Sequence, residues 1–161
     1  SELPAIRVRS DIERKRQLAL AETASTESSP GSGAYTMHAR SEIYEVMMEI
    51  IDSLIEARFS VIADASFLMH THRQLLAALA KRKGVALVWI DASASHNELL
   101  RRLKFRKAVR DDASEAGPEV LEYQYGHADS FTGAELEHTV FVRTDQQVDP
   151  GAIIKSIKSA L

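Results

Sequence analysis

Short apolar runs alternate along this chain with longer amphipathic stretches, and this alternation constrains the fold most strongly. Residues 85–90 are almost wholly apolar, as expected of a strand that is covered on both faces. Residues 40–58 instead carry apolar side chains at three- and four-residue spacing, which places them on one face of a helix. Strands and helices in alternation predict a three-layer α/β fold with a parallel sheet.

The predicted elements cover most of the chain. Strands are expected at 5–9, 59–63, 85–90 and 139–142, and helices at 11–20, 40–58, 68–83, 95–110, 119–127 and 152–161. The polar segment 25–33 contains proline and glycine and is predicted to be a loop. A length of 161 residues favours one domain over 1–161.

Composition excludes several classes of protein. Lys plus Arg total 20 and Asp plus Glu total 23, so the net charge of −3 argues against a general DNA-coating protein. The chain has no cysteine, which excludes disulfides, thiolate metal sites and cysteine nucleophiles. No apolar run approaches the roughly 18 residues that span a bilayer, and no signal peptide opens the chain. We therefore expect a cytoplasmic protein without a membrane partner.

Three of the apolar strands are followed by, or end in, a carboxylate: Asp11, Asp64 and Asp91. Ligands of open parallel sheets gather at the carboxyl ends of the strands, so such acids can face one crevice. Asp11 and Asp91 could equally cap the helices that follow them. Asp64 comes before Ala65 and Ser66, a setting suited to an acid that holds Mg²⁺ or its water ligands.

Asp11 and Arg14 are three residues apart at the start of a predicted helix, so they project from one face. The carboxylate could orient or deprotonate an acceptor hydroxyl, and the arginine could hold an anionic substrate. An exposed ion pair worth less than about 1 kcal/mol is the structural alternative. Asp11 and Asp64 are expected to face the same crevice.

A basic cluster occupies 101–110. Its six cations are Arg101, Arg102, Lys104, Arg106, Lys107 and Arg110. An acidic segment, 111–115, follows. Such a run is usually a solvated helix face, but a lid that brings arginines over transferred phosphates needs the same concentration of donors.

Taken together, residues 8–16, 60–67 and 101–115 resemble the P-loop kinases. The nearest likeness is to the ATP-binding, kinase-like domain often fused behind an aminoglycoside-phosphotransferase-like domain; polynucleotide kinases and zeta-toxin-like kinases look more distant. The likeness runs from about residue 5 to residue 150. It implies a P-loop NTPase-like sheet, with ATP and Mg²⁺ as cofactors.

The resemblance also implies roles for individual residues. Asp11 resembles the acid that activates the acceptor hydroxyl, Arg14 the substrate-binding arginine, and Asp64 the Walker B acid that holds the metal. Arg106 and Arg110 resemble catalytic lid arginines. The remaining nucleotide-binding candidates are Arg102, Thr144 and Asp145.

One departure from the family is large. No Gly-x-x-x-x-Gly-Lys-Ser/Thr motif occurs in the sequence, although its backbone amides and lysine cradle the phosphates. The resemblance places that motif and the first strand upstream of Ser1. In the family's strand order, 2-3-1-4-5, that strand is central, so the strands ending near Asp64 and Asp91 would each expose an apolar edge. We therefore expect a fragment of a longer chain or a degenerate domain.

Three functions follow from these alternatives. The first is an ATP-dependent phosphotransferase acting on a hydroxyl of a small molecule or, as substrate only, a nucleic-acid end. The second is a non-catalytic module of degenerate kinase fold that binds a nucleotide or another ligand. The third is an ATP hydrolase, with water in place of the acceptor.

Overall fold

A computed structural model describes residues 4–20, 37–109 and 117–161. Along the chain it has β1 (Ile6–Arg9), α1 (Ser10–Gln17), α2 (Met37–Glu56), β2 (Val61–Asp64), α3 (His70–Lys83), β3 (Trp89–Ser93), α4 (His96–Val109), α5 (Pro118–His127), α6 (Gly133–Leu136), β4 (Thr139–Arg143) and α7 (Pro150–Ala160). The predicted loop 25–33 and Arg110 lie outside the described residues. None of the described helices combines the length and the apolarity needed to cross a membrane.

The strands form two parallel pairs. β1 pairs with β2, with Arg9 opposite Asp64, and β3 pairs with β4, with Trp89 opposite Thr139. This mixed α/β architecture with parallel strands confirms the predicted fold class. The ladder is not continuous, however: among the described residues β2 pairs with β1 only and β3 with β4 only.

One apolar core serves both strand pairs. From α2 it takes Ile43, Met47 and Ile51, which recur every four residues and therefore share one face. The other buried members are Val8 of β1, Leu76 and Leu79 of α3, and Trp89 of β3. Burying an apolar side chain of this kind stabilises the fold by about 1.5–3 kcal/mol. Side chains of α2 and α3 thus hold β1 and β3 against a common layer.

The third strand begins later than predicted. Gly84 takes the left-handed conformation (φ 64°) that ends α3, and the Val85 amide donates to the Ala80 carbonyl instead of to a neighbouring strand. Pairing starts only where the Trp89 amide donates to the His138 carbonyl. Because β3 continues to Ser93, Asp91 lies inside the strand, and the prediction that it follows the strand end is wrong.

Candidate functional site

The first group of candidate residues lies at the carboxyl ends of β1 and β2. Arg9, the last residue of β1, stands opposite Asp64, the last residue of β2, and α1 begins at Ser10 without an intervening loop. Asp11 is therefore in the first turn of a helix that leaves the sheet edge at which Asp64 lies. A carboxylate in this first turn is also favoured by the partial positive charge of the helix N-terminus.

Asp11 and Arg14 form an ion pair within α1. Nη2 of Arg14 lies 2.6 Å from Oδ1 of Asp11, and the two side chains are only 12% and 25% exposed. This partial burial distinguishes the pair from a fully solvated one, because water screens it less. The arginine thereby fixes the orientation of the Asp11 carboxylate.

Asp64 is held by two arginines of the neighbouring strand. Nε of Arg7 donates to Asp64 Oδ2 at 2.8 Å, and Nε of Arg9 lies 3.3 Å from the same oxygen. Oδ1 of Asp64 accepts no hydrogen bond from a described residue. Two guanidinium groups of β1 thus share this one carboxylate.

The segment after Asp64 has an unusual backbone. Phe67 adopts φ 43°, in the left-handed region that a bulky aromatic residue rarely occupies. Such a conformation costs about 1–3 kcal/mol and persists only where its surroundings hold it. Tyr44 Oη accepts the Phe67 N–H at 3.0 Å, and Arg73 Nη1 donates to the Phe67 carbonyl at 3.0 Å. Both peptide groups of the strained residue are thus fixed by side chains from α2 and α3.

Among the residues that the structure describes, Arg73 is the largest of the fully buried side chains, at 2% exposure. Its guanidinium donates to Glu135 Oε1 at 2.7 Å and to the Leu68 and Ser130 carbonyls, and it lies 4.8 Å from the centre of the Phe131 ring. The turn after β2 is therefore tied to the segment that leads into α6. Glu135 also completes a capping box with Thr132.

Sequence reasoning missed Arg73, Glu135 and Tyr44. A signal for Arg73 does exist, because it stands three residues before Leu76 and seven before Ala80 on the buried face of α3. A charged residue at such a position needs a partner, and the pattern Thr132-x-x-Glu135 marks the helix start that supplies it. Tyr44 carries no comparable local signal.

Acid should weaken the Arg73–Glu135 pair. Burial opposes ionisation of Glu135, but hydrogen bonds from Arg73 and Thr132 prevail and lower its pKa from 4.5 to about 2. A depressed folded-state pKa stabilises the fold above the unfolded value of 4.5 and loses that contribution as pH falls toward 2. We expect the destabilisation caused by Glu135→Gln to be largest above pH 4.5 and to shrink in acid. Urea unfolding of both proteins at about pH 5.5, 4 and 2.5 measures this; a pH-independent difference would contradict it.

A second group of candidates meets between α4 and the end of β4. Nη1 of Arg102 donates to Thr144 Oγ1 at 2.8 Å, and Nη2 donates to the Thr144 carbonyl at 2.6 Å. Oδ2 of Asp145 accepts the Ser95 amide at 2.7 Å, just before α4 begins. The structure thus brings Arg102, Thr144 and Asp145 to one place, at the carboxyl ends of β3 and β4.

Charges in this second group are strongly paired. Hydrogen bonds from Arg101 and Arg102 lower the pKa of Glu98 to about 2. Arg143 and the Ser95 amide likewise hold the pKa of Asp145 well below its usual range. Both acids therefore remain ionised at physiological pH, and Arg102 keeps its orientation toward Thr144.

Arg106 lies further along α4, beside a cavity of about 530 Å³ between α4 and α5. The cavity is lined by Leu99, Arg101, Arg102, Leu103, Phe105, Arg106, Leu121 and Gln124. Its walls are mostly apolar, with guanidinium groups at several positions. Arg106 is half-buried there, whereas Arg110, the other predicted lid arginine, is outside the described residues.

Comparison with known families places these features in context. The model of an AAA domain family matches residues 1–130. The chain belongs to this AAA domain family. The family is of the P-loop NTPase type and supports nucleotide binding. The matched part of this AAA domain contains Asp11, Asp64 and Arg106, while Thr144 and Asp145 lie beyond it. No curated protein and no solved structure matches the chain.

Proposed function

We propose that this AAA domain is an ATP-dependent phosphotransferase of the P-loop kinase type that acts on a hydroxyl group. The observation that carries the proposal is that Asp64 ends β2 and that Asp11, paired with Arg14, follows the end of the neighbouring parallel strand β1. This reaction requires two carboxylates close together. One accepts the proton of the acceptor hydroxyl, and the other holds the metal ion.

Asp11 acts on the acceptor in this proposal. Arg14 occupies Oδ1, so the other lone pairs of the carboxylate can accept the proton of the attacking hydroxyl. Because the pair is partly buried and the helix begins directly after β1, the carboxylate is positioned by rigid structure. The acceptor is a small molecule or a nucleic-acid end that carries a free hydroxyl.

The environment of Asp64 fits Mg²⁺ when the ion arrives with phosphate. Mg²⁺ binds through one or two carboxylates together with waters and substrate phosphates, and Oδ1 of Asp64 is the oxygen that Arg7 and Arg9 do not engage. Their positive charge opposes a bare dication but is compatible with the anionic Mg²⁺–nucleotide complex. Bound there, the ion would neutralise charge on the phosphates.

The nucleotide side of the site is the second group of candidates. Thr144 and Asp145 follow β4, and Arg102 is held against Thr144. We propose that these residues contact ATP and that Arg106 and Arg110 donate to the phosphoryl oxygens during transfer. The half-buried position of Arg106 on α4, beside the cavity, supports this role in phosphoryl transfer.

The phosphate cradle itself is not encoded in the 161 residues, because they contain no Gly-x-x-x-x-Gly-Lys-Ser/Thr motif. This observation favours a second candidate, a non-catalytic module that binds a nucleotide or another ligand. ATP hydrolysis without an acceptor is the remaining alternative. The binding of ATP and its turnover with and without hydroxyl acceptors separate these functions.

Binding of ATP with and without Mg²⁺ tests the proposal. In the full-length gene product we expect Mg²⁺ to tighten ATP binding about tenfold, equivalent to ~1.4 kcal/mol, and Asp64→Asn to remove most of this gain. Asp52→Asn is the matched control, since Asp52 of α2 is also an ion-paired acid, but its partner is Lys83 at the end of α3. Isothermal titration calorimetry measures the dissociation constant of ATP with and without Mg²⁺ for each protein.

Three outcomes separate the candidates. An Asp64→Asn protein that keeps the full Mg²⁺ gain would show that Asp64 serves only as an ion-pair partner of Arg7 and Arg9. ATP binding without turnover in the presence of diverse hydroxyl acceptors would favour the binding module. ADP formation that no acceptor accelerates would favour the hydrolase.

A further inference from the structure

Glu98, in the first turn of α4, holds two arginines of the same helix. Nε of Arg101 donates to its Oε2 at 2.7 Å, and Nε of Arg102 donates to its Oε1 at 2.7 Å. Pairs three and four residues apart are common on solvated helices and usually stabilise them only slightly. Arg101 fits that description, because its side chain is 70% exposed. Arg102 does not, because its guanidinium has a second anchor outside the helix.

That second anchor is Thr144, the residue that follows β4. Nη1 and Nη2 of Arg102 donate to the Oγ1 and the carbonyl oxygen of Thr144, at 2.8 and 2.6 Å. Thr144 is itself fixed, because its Oγ1 and its amide both donate to the Ser93 carbonyl, at 3.0 and 2.7 Å. The Thr144 hydroxyl gives its single proton to Ser93, so toward Arg102 it acts only as an acceptor.

Glu98 and Thr144 together fix the Arg102 guanidinium at all three of its nitrogens. Across the described residues, these hydrogen bonds use three of its five N–H groups. The side chain of Arg102 remains 36% exposed and borders the cavity between α4 and α5, so a ligand can reach it. An arginine that is already held in one orientation loses less side-chain entropy on binding a ligand than a freely rotating one does. Glu98 therefore contributes preorganisation in addition to an ion pair.

We propose that Glu98 is a positioning residue for nucleotide binding. It fixes the Arg102 guanidinium at Nε while Thr144 fixes it at Nη1 and Nη2, so that Arg102 binds ATP in a preset orientation. The inference rests on the proposed function, which places Arg102 among the residues that contact ATP. Neither the sequence motifs nor the family match gives Glu98 a role.

Two variants of Glu98 test the inference in the full-length gene product. Glu98→Ala removes both acceptor oxygens, and we expect it to weaken binding of ATP in the presence of Mg²⁺ by about tenfold, the usual effect of one hydrogen bond to a charged group. Glu98→Gln keeps one acceptor oxygen for Nε of Arg102, so its affinity for ATP should lie within about threefold of the parental value. Isothermal titration calorimetry measures the dissociation constant of ATP for each protein.

The double variant Glu98→Ala/Arg102→Ala distinguishes positioning from a merely structural role. If Glu98 acts through Arg102, the double variant should bind ATP no more weakly than Arg102→Ala alone, because the two residues share one interaction. Losses that multiply would instead show that Glu98 acts independently of Arg102. Arg101→Ala is the matched control, since it removes the other partner of the same carboxylate and leaves Arg102 in place. Its affinity for ATP should match the parental value.

The outcomes distinguish this inference from the proposed function. If the parent binds ATP and Glu98→Ala binds it equally well, or if the losses multiply in the double variant, the inference is overturned and the proposed function stands. An Arg101→Ala protein that loses as much affinity as Glu98→Ala would also overturn the inference, in favour of a general effect of charge on α4. A parent that binds no ATP overturns both.

Discussion

Replacing Arg106 with alanine is expected to lower the turnover of the full-length gene product by about 10³–10⁵-fold, equivalent to roughly 4–7 kcal/mol. A lid arginine stabilises charge that spreads over the phosphoryl oxygens mainly in the transition state, so ATP affinity should fall far less. Arg106 is half-buried on α4 beside the cavity, a position consistent with this role. Steady-state release of ADP and equilibrium binding of ATP measure the two effects separately.

Lys104→Ala is the control for this experiment. Lys104 is an exposed cation of the same helix, and such a residue is usually worth less than about 1 kcal/mol. Arg110→Ala is expected to resemble Arg106→Ala. If both arginine variants turn over at nearly the parental rate, Arg106 and Arg110 have no part in phosphoryl transfer.

Arg73→Ala is expected to reduce the free energy of unfolding by about 3–5 kcal/mol. The substitution removes the guanidinium that Glu135 and the Phe67, Leu68 and Ser130 carbonyls share, and it leaves the Glu135 carboxylate without its principal partner. Urea unfolding of the chain measures the difference. The size of the loss follows from the burial of the pair, since an exposed pair would contribute little.

Arg82→Ala provides the comparison within α3. Arg82 is 64% exposed and lies 3.7 Å from Asp52, so we expect its loss to change the unfolding free energy by less than about 1 kcal/mol. Similar losses of unfolding free energy in Arg73→Ala and Arg82→Ala would show that burial does not strengthen the interactions of Arg73. The double variant Arg73→Ala/Glu135→Gln should lose less than the sum of the single changes, because the two residues share one interaction.

The sequence was sufficient to predict the elements whose patterns are local. The apolar spacing of α2 and the apolar run of β2 reflect burial that each element achieves within its own periodicity. The start of β3 could not be predicted in this way, because Val85 is as apolar as Trp89. What separates them is the partner: the Val85 amide bonds back to α3, whereas β4 begins only at Thr139.

The same difference between local and long-range contacts applies to the candidate site. The Asp11–Arg14 pair follows from three-residue spacing, and the structure joins the two side chains. Arg102 and Thr144 are 42 residues apart in the sequence, so residue spacing cannot predict their contact. Only the family resemblance named both as candidates for nucleotide binding. Tyr44 and Ser66 are also brought together by tertiary packing. Their proximity cannot be read from the sequence, because the two residues are 22 positions apart.

The division of the described strands into two pairs bears on how the two groups of candidate residues are held together. Asp11, Arg14 and Asp64 belong to the β1–β2 half, whereas Arg102 and Thr144 belong to the β3–β4 half. Across the described residues no strand ladder joins the halves; side chains do, including Phe67 against Trp89 at 5.6 Å. Within the described residues, the relative position of the two groups of candidate residues therefore depends on side-chain packing at this contact and not on backbone hydrogen bonds.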